Sequence, residues 1–150
     1  MQIISVINQK GGVGKTTTVI NLAAGLSQLN KKILVIDLDP QGNATTGLGL
    51  SNMDNSSDTI YGVLNGTKEI SEVIKKTQFE NLDMITSNVD LSGLEVETAD
   101  DSNRAFILKT KLALYLNNSR GQYDYVLIDC PPSLSLLTVM ALVSSNSLLV

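Results

Sequence analysis

The stretch Asn8-Gln9-Lys10-Gly11-Gly12-Val13-Gly14-Lys15-Thr16-Thr17-Thr18 holds residue types at the spacing that phosphate binding needs. Glycines let a backbone approach a ligand closely, so the N–H groups of Gly11, Gly12, Val13, Gly14 and Lys15 can fold around phosphate oxygens. A helix opening at this point adds its own unpaired N–H groups and the positive end of its dipole. Lys15 then reaches the β and γ phosphates of a nucleotide, and the Thr16 hydroxyl can ligate Mg²⁺. The common pattern G-x-x-x-x-G-K-[ST] is not fully met: its first glycine position holds Gln9, and a second lysine, Lys10, stands at the entry of the loop. Three acids complete the candidate chemistry. Asp129 closes an apolar run and can hold a water on Mg²⁺ opposite Thr16. Asp37 and Asp39 end another run, where alternation places both carboxylates on one side.

These residues need elements that bring them together. Ile3, Ile4, Val6 and Ile7 form an apolar strand before the loop. Val19, Leu22, Ala23, Leu26 and Leu29 recur at helical spacing after it, which predicts a helix from Thr16 to about Leu29 with one apolar stripe. Ile33-Leu34-Val35-Ile36 is a continuous β-rich run of the kind found in parallel strands covered on both faces, so strand, helix and strand read as a βαβ unit. Ligands of open α/β sheets sit at the carboxyl ends of the strands, where both the loop and Asp37 fall.

Residues 43–58 are rich in Gly, Ser and Asn and read as a surface stretch without chemistry. Short helices are predicted at Thr59 to Leu64 and Ile70 to Ile74, and a strand at Asn81 to Ser87. A weak helix start lies at Leu91 to Glu97. A stronger helix carries the stripe Ala105, Leu108, Leu112 and Leu116, with its cap in Asp100 to Asn103 and its end at Asn117, Asn118 and Gly121. Tyr125 to Asp129 is a buried strand followed by the rigid exit Pro131-Pro132. A helix from Leu134 to Val143 and a strand beginning at Ser147 follow. The fold class is α/β: a mostly parallel sheet with helices on both faces, one domain over residues 1–150.

Composition narrows the function. With 43% hydrophobic residues the chain can bury a real core, and a formal net charge of −4 gives no global pull toward nucleic acid. One cysteine, Cys130, and no histidine exclude an internal disulfide and a structural zinc site, leaving Mg²⁺ on oxygen ligands. Without a histidine to activate it, Cys130 reads as a packed residue rather than a nucleophile. The amino terminus lacks signal-peptide character, and Leu134 to Val150 is too short and too rich in Ser, Thr and Asn to span a membrane, so the expected location is the cytoplasm.

Lys10-Gly11-Gly12-Val13-Gly14-Lys15-Thr16, Asp37-Leu38-Asp39-Pro40-Gln41-Gly42-Asn43 and Asp129-Cys130-Pro131-Pro132-Ser133 together resemble the ParA/Soj branch of the deviant Walker A P-loop ATPases. The resemblance runs from Met1 to Val150. It implies an ATPase with Mg²⁺ in which Lys10 reaches across a homodimer to the nucleotide of the other subunit and Asp39 orients the attacking water. Lys15 and the loop amides would hold the β and γ phosphates, Thr17 the α phosphate, and Thr16 and Asp129 the metal, with Asp37 supporting its water shell. It also implies slow hydrolysis, an ATP-bound dimer on nonspecific DNA, and a ParB-like activator protein in chromosome or plasmid partitioning. A MinD-like membrane-cycling ATPase shares the loop, although Asp39-Pro40-Gln41 favours ParA. A nitrogenase-reductase-like iron–sulfur ATPase needs more cysteines than Cys130. A truncated, inactive nucleotide-binding fragment is the non-enzymatic alternative. The family's domain continues beyond the matched part, which implies a fold incomplete at its carboxyl end. DNA-binding basic residues would then lie in that further region, and an apolar edge strand would be left at Leu148-Leu149-Val150.

Overall fold

Every residue of the strand Ile33–Asp37 is buried, as the continuous apolar run predicts. In the computed structural model, which describes residues 1–7, 13–51, 55–118 and 122–150, this strand is β2 of a six-stranded sheet. The other strands are β1 (Gln2–Val6), β3 (Ile74–Lys76), β4 (Leu82–Ile85), β5 (Tyr125–Asp129) and β6 (Ser147–Leu149), in the order β3-β4-β2-β5-β1-β6. All neighbours run parallel except β3 against β4. Of the phosphate loop, Lys10, Gly11 and Gly12 lie outside the described residues, as does the side chain of Val13.

Alternation along β2 and β5 divides the interior into two layers. Ile33, Val35 and Leu127 face Val19 and Ala23 of helix α1 (Val13–Gln28) and Ala44 of the short helix α2 (Asn43–Gly47). Leu34, Ile36, Val126 and Ile128 face the other layer. It is built from α3 (Ile60–Leu64), α4 (Ile70–Val73), α5 (Leu94–Glu97), α6 (Ile107–Asn118) and α7 (Leu136–Ser144).

Several expectations change. The βαβ unit is parallel as read, with one feature the sequence did not show: β5 is inserted between β1 and β2, pairing with both. The stretch 43–58 is not structureless, since Gly42 takes φ 68° and α2 starts at once behind it. The segment predicted as a helix to Ile74 stops at Val73, and Ile74 begins β3, the antiparallel edge strand. Leu29 is 70% exposed rather than part of the apolar stripe, because α1 ends at Gln28 and Asn30 turns the chain at φ 62°, a left-handed conformation that Asn tolerates. A 3₁₀ turn, Arg104–Phe106, precedes α6, and Asn103 makes no side-chain cap. The helix expected from Leu134 starts at Leu136, leaving Leu134 exposed. Residues 52–54 and Gly121 lie outside the described residues. At the β6 edge, Leu148, Leu149 and Val150 are exposed, and among the described residues no strand pairs on its far side. No described helix is long and apolar enough to cross a membrane.

Gly62 marks the tightest passage in the second layer. A Cβ there would lie 2.0 Å from the carbonyl oxygen of Ser57, a backbone atom that cannot swing aside, whereas a Cβ at Gly25 in α1 would meet nothing within 4 Å. Gly62→Ala is therefore expected to lower the unfolding free energy by about 1–3 kcal/mol. Gly25→Ala, which only gains helix propensity, is expected to raise it by about 0.5–1 kcal/mol. Urea midpoints at unchanged slope read both, and equal midpoints for the two variants would contradict the assignment.

Candidate active site

The row that ends the sheet reads Val6, Asp129, Asp37 across β1, β5 and β2. Inserting β5 between the other two strands sets Asp129 directly between the strand that feeds the phosphate loop and the strand that ends in Asp37. All three carboxyl-end positions lie at the edge where α/β sheets bind ligands.

Lys15 and Thr16, in the first turn of α1, meet Asp129 there. The Lys15 ammonium forms a buried ion pair with Asp129 Oδ1, and Thr16 Oγ1 lies 3.5 Å from Asp129 Oδ2, to which it donates. Lys15 is 4% exposed, unusual for a lysine, and Asp129 is fully buried. Burial pushes the Asp129 carboxyl above the usual range, and Lys15 draws it partly back. Gly14 and Thr17 are exposed at the same helix start, so Thr17 does not join the Lys15–Thr16–Asp129 cluster.

Asp37 is fully buried, and its bonds run away from that cluster. Its Oδ2 accepts from the amide (2.9 Å) and the hydroxyl (2.7 Å) of Thr45 at the start of α2, and its Oδ1 accepts from the Asp39 amide (3.1 Å). Burial foremost, then the charge of Asp129, raises the Asp37 carboxyl to about 7 against the pull of those donors. Asp39 is buried too, and its charge is felt at Asp129, but its Oδ1 accepts from the Gln41 amide at 3.0 Å in a tight turn of its own. It opens onto a groove of about 510 Å³ lined also by Gln41, Leu91, Pro131 and Leu136. A cavity of about 490 Å³ around Lys32, Asp83 and Tyr123 lies at the opposite end of the strands and holds none of the residues predicted to bind phosphate. Cys130 is buried, with its thiol raised to about 12 mainly by that burial, consistent with packing rather than nucleophilic chemistry.

Asp129, the partner of Lys15, lies close enough to Asp37 and Asp39 for the charges to act on one another, and such a negative edge suits a divalent cation. No three Asp, Glu, Cys or His side chains among the described residues form a metal cage. The Thr16 hydroxyl beside Asp129 is a donor set of the kind Mg²⁺ takes, since that ion keeps several waters and needs one or two protein oxygens beside those of a phosphate. Thr45 and Ser87 are the residues the sequence reading passed over. Their signals were a threonine-rich run directly behind Gly42 and the polar Thr86-Ser87-Asn88 closing an apolar strand at the same edge.

The family model for an AAA domain matches residues 1–150. The sporulation initiation inhibitor protein Soj of Bacillus subtilis is 45% identical over 149 residues, covering 99% of this chain and 57% of Soj. The chromosome partitioning protein ParA of Myxococcus xanthus is 46% identical over 149 residues, covering 99% of this chain and 51% of that protein. A solved structure, cobyrinic acid a,c-diamide synthase from Mycobacterium smegmatis with bound ATP analog and magnesium, superposes with TM-score 0.89 at 37% identity, covering 99% of this chain and 58% of the other. The chain thus spans about half the length of the curated relatives it matches.

Proposed function

Because the chain belongs to the ParA/Soj family of P-loop ATPases, we propose that it binds Mg·ATP, hydrolyses it slowly and uses the nucleotide to switch a homodimer in chromosome or plasmid partitioning. The observation that carries this reading is the convergence of Lys15, Thr16 and Asp129 at the carboxyl edge of the sheet. Residues 1–150 act as the amino-terminal part of a single cytoplasmic ATPase domain. Contacts with nonspecific DNA and with a ParB-like activator belong to the assembled full-length form, and the −4 charge of this chain offers DNA no general attraction.

The roles follow from charge. Phosphoryl transfer leaves the protein to position groups and neutralise charge. Lys15, an ammonium held out of solvent, exchanges Asp129 for β and γ phosphate oxygens, and the loop amides share those oxygens. Thr16 and Asp129 would hold the magnesium ion directly or through water, and Asp37 would support its water shell. Bound magnesium supplies neutralisation of the phosphate charge and of Asp129. Asp39 orients the attacking water, Thr17 meets the α phosphate from its exposed position, and Lys10 of each subunit faces the nucleotide of the other.

The dimer switch separates Lys10 from Asp39. Lys10→Ala is expected to keep nucleotide binding and lose the ATP-dependent dimer and turnover. Asp39→Ala is expected to trap an ATP dimer, since the phosphates are still held and only the water is misplaced. Light scattering with and without Mg·ATP checks this. An Asp39→Ala chain that stays monomeric in ATP, beside a wild type that dimerises, would rule it out.

A further inference from the structure

We infer that Thr45 and Ser87 are positioning residues for Asp37 and Asp39, so that the ends of β2 and β4 and the start of α2 work as one unit. The inference rests on the ATPase reading above and deepens it.

Three side chains, those of Asp37, Thr45 and Ser87, close a ring of hydrogen bonds with the backbone of Asp39 and Ser87. Thr45 Oγ1 donates to Asp37 Oδ2 (2.7 Å), Ser87 N donates to Thr45 Oγ1 (3.0 Å), Ser87 Oγ donates to the Asp39 carbonyl (2.6 Å), and Asp39 N donates back to Asp37 Oδ1 (3.1 Å). Thr45, Ser87 and Asp37 are fully buried, and Asp39 nearly so. The direction of the ring is determined by valence. A threonine hydroxyl carries one proton, and since its oxygen accepts the Ser87 amide, that proton points to Asp37. Asp37 is thereby clamped through both oxygens, and Asp39 is held through its amide and its carbonyl. The Asp39 carbonyl also accepts from Gly42 N at 2.9 Å, so the turn that carries the acid is tied at three points. A buried network with every member satisfied stiffens the groups it contains.

A purely structural role would use the same bonds to satisfy buried groups and nothing more. The two roles separate in how they divide between binding and turnover. Thr45→Val keeps the shape, removes the donor to Asp37 and strands the Ser87 amide, while Thr45→Ser keeps both bonds. In the 150-residue chain, Thr45→Val is expected to lower kcat by about 10-fold or more with KM for Mg·ATP changed by no more than about 3-fold. Calorimetry with a non-hydrolysable ATP analogue is expected to show a higher Mg²⁺ requirement for Thr45→Val. Thr45→Ser is expected to return both quantities to within about 3-fold of wild type. Thr45→Val added to Asp37→Asn is expected to cost little beyond Asp37→Asn alone, because one acts through the other. Ser87→Ala keeps its amide bond to Thr45 and loses only the hold on the Asp39 carbonyl, so it carries the test should Thr45→Val not fold; a kcat lowered by at least about 3-fold is expected. A folded Thr45→Val or Ser87→Ala chain with wild-type kcat and Mg²⁺ requirement, a Thr45→Ser chain as impaired as Thr45→Val, or fully additive losses would overturn the inference. A wild type that does not bind the analogue overturns the ATPase reading as well. A wild type that binds and turns over, beside variants that match it, overturns this inference alone.

Discussion

Lys15→Ala is expected to weaken Mg·ATP binding by about 100-fold or more, the loss of roughly 3 kcal/mol that follows when a charge-assisted contact to phosphate is removed from a buried site. Among the described residues Lys15 is the one buried lysine, and its ammonium pairs with Asp129 at the carboxyl edge. The same substitution strands the Asp129 carboxylate beside Asp37, its register neighbour. Breaking a buried pair from one side costs about 3–5 kcal/mol of stability. Loss of fold must therefore be separated from loss of binding. Adding Asp129→Asn removes the stranded charge and is expected to restore much of the stability without restoring affinity, because the phosphate partner is still missing. Circular dichroism follows the fold and calorimetry the binding. Equal ATP affinity for wild type and a folded Lys15→Ala chain would refute the assignment of the phosphate site.

The second large effect concerns pH in the absence of metal and nucleotide. Asp37 is held at about 7 against an ordinary 3.8, by burial first and by the charge of Asp129 second. Its native form therefore binds a proton more tightly than the unfolded chain does, and between those two values the folded state carries more protons. Stability from this group is fully present below about pH 4 and is lost as pH rises through about 7. A displacement of that size corresponds to at most about 4 kcal/mol, and Asp129, also raised by burial, adds a contribution of the same sign. The window is unusually clean because the chain contains no histidine, the side chain that ordinarily titrates there. The metal-free chain is thus expected to show a higher urea midpoint at pH 5 than at pH 8. Saturating Mg·ATP is expected to flatten the difference by favouring the ionised carboxylates. Asp37→Asn is expected to remove the larger part of the slope. A midpoint that stays level from pH 8 to pH 5 without metal would contradict the tighter hold that burial gives these acids on a proton.

Much of this was legible in the residues themselves. The strand ending at Asp129 runs from Tyr125 as expected, because an uninterrupted Tyr-Val-Leu-Ile run closed by Asp and followed by two prolines leaves few alternatives. The helix that carries Lys15 follows from periodicity, since one face of α1 must be apolar to pack on a sheet, although it begins at Val13 rather than at Thr16. What failed were short elements: α2, which begins six residues beyond the end of β2, and β3, three residues long. Neither is long enough for a period to show, and both owe their existence to a partner, Asp37 for α2 and β4 for β3.

By itself, then, the sequence set out the candidate chemistry: a loop with Lys15 and Thr16 at phosphate-binding spacing, acids at two strand ends, and no histidine. These follow from residue type and local spacing, which need no knowledge of distant parts of the chain. Only the tertiary structure decided the rest. It placed β5 between β1 and β2, so that Asp129 meets Lys15 from 114 residues away. It also turned Asp37 toward Thr45 and brought Ser87 against both Thr45 and Asp39. Strand order is set by which apolar faces pack best across the whole sheet, and a hydroxyl's partner is set by what burial leaves unsatisfied beside it. Neither quantity is carried by any one segment.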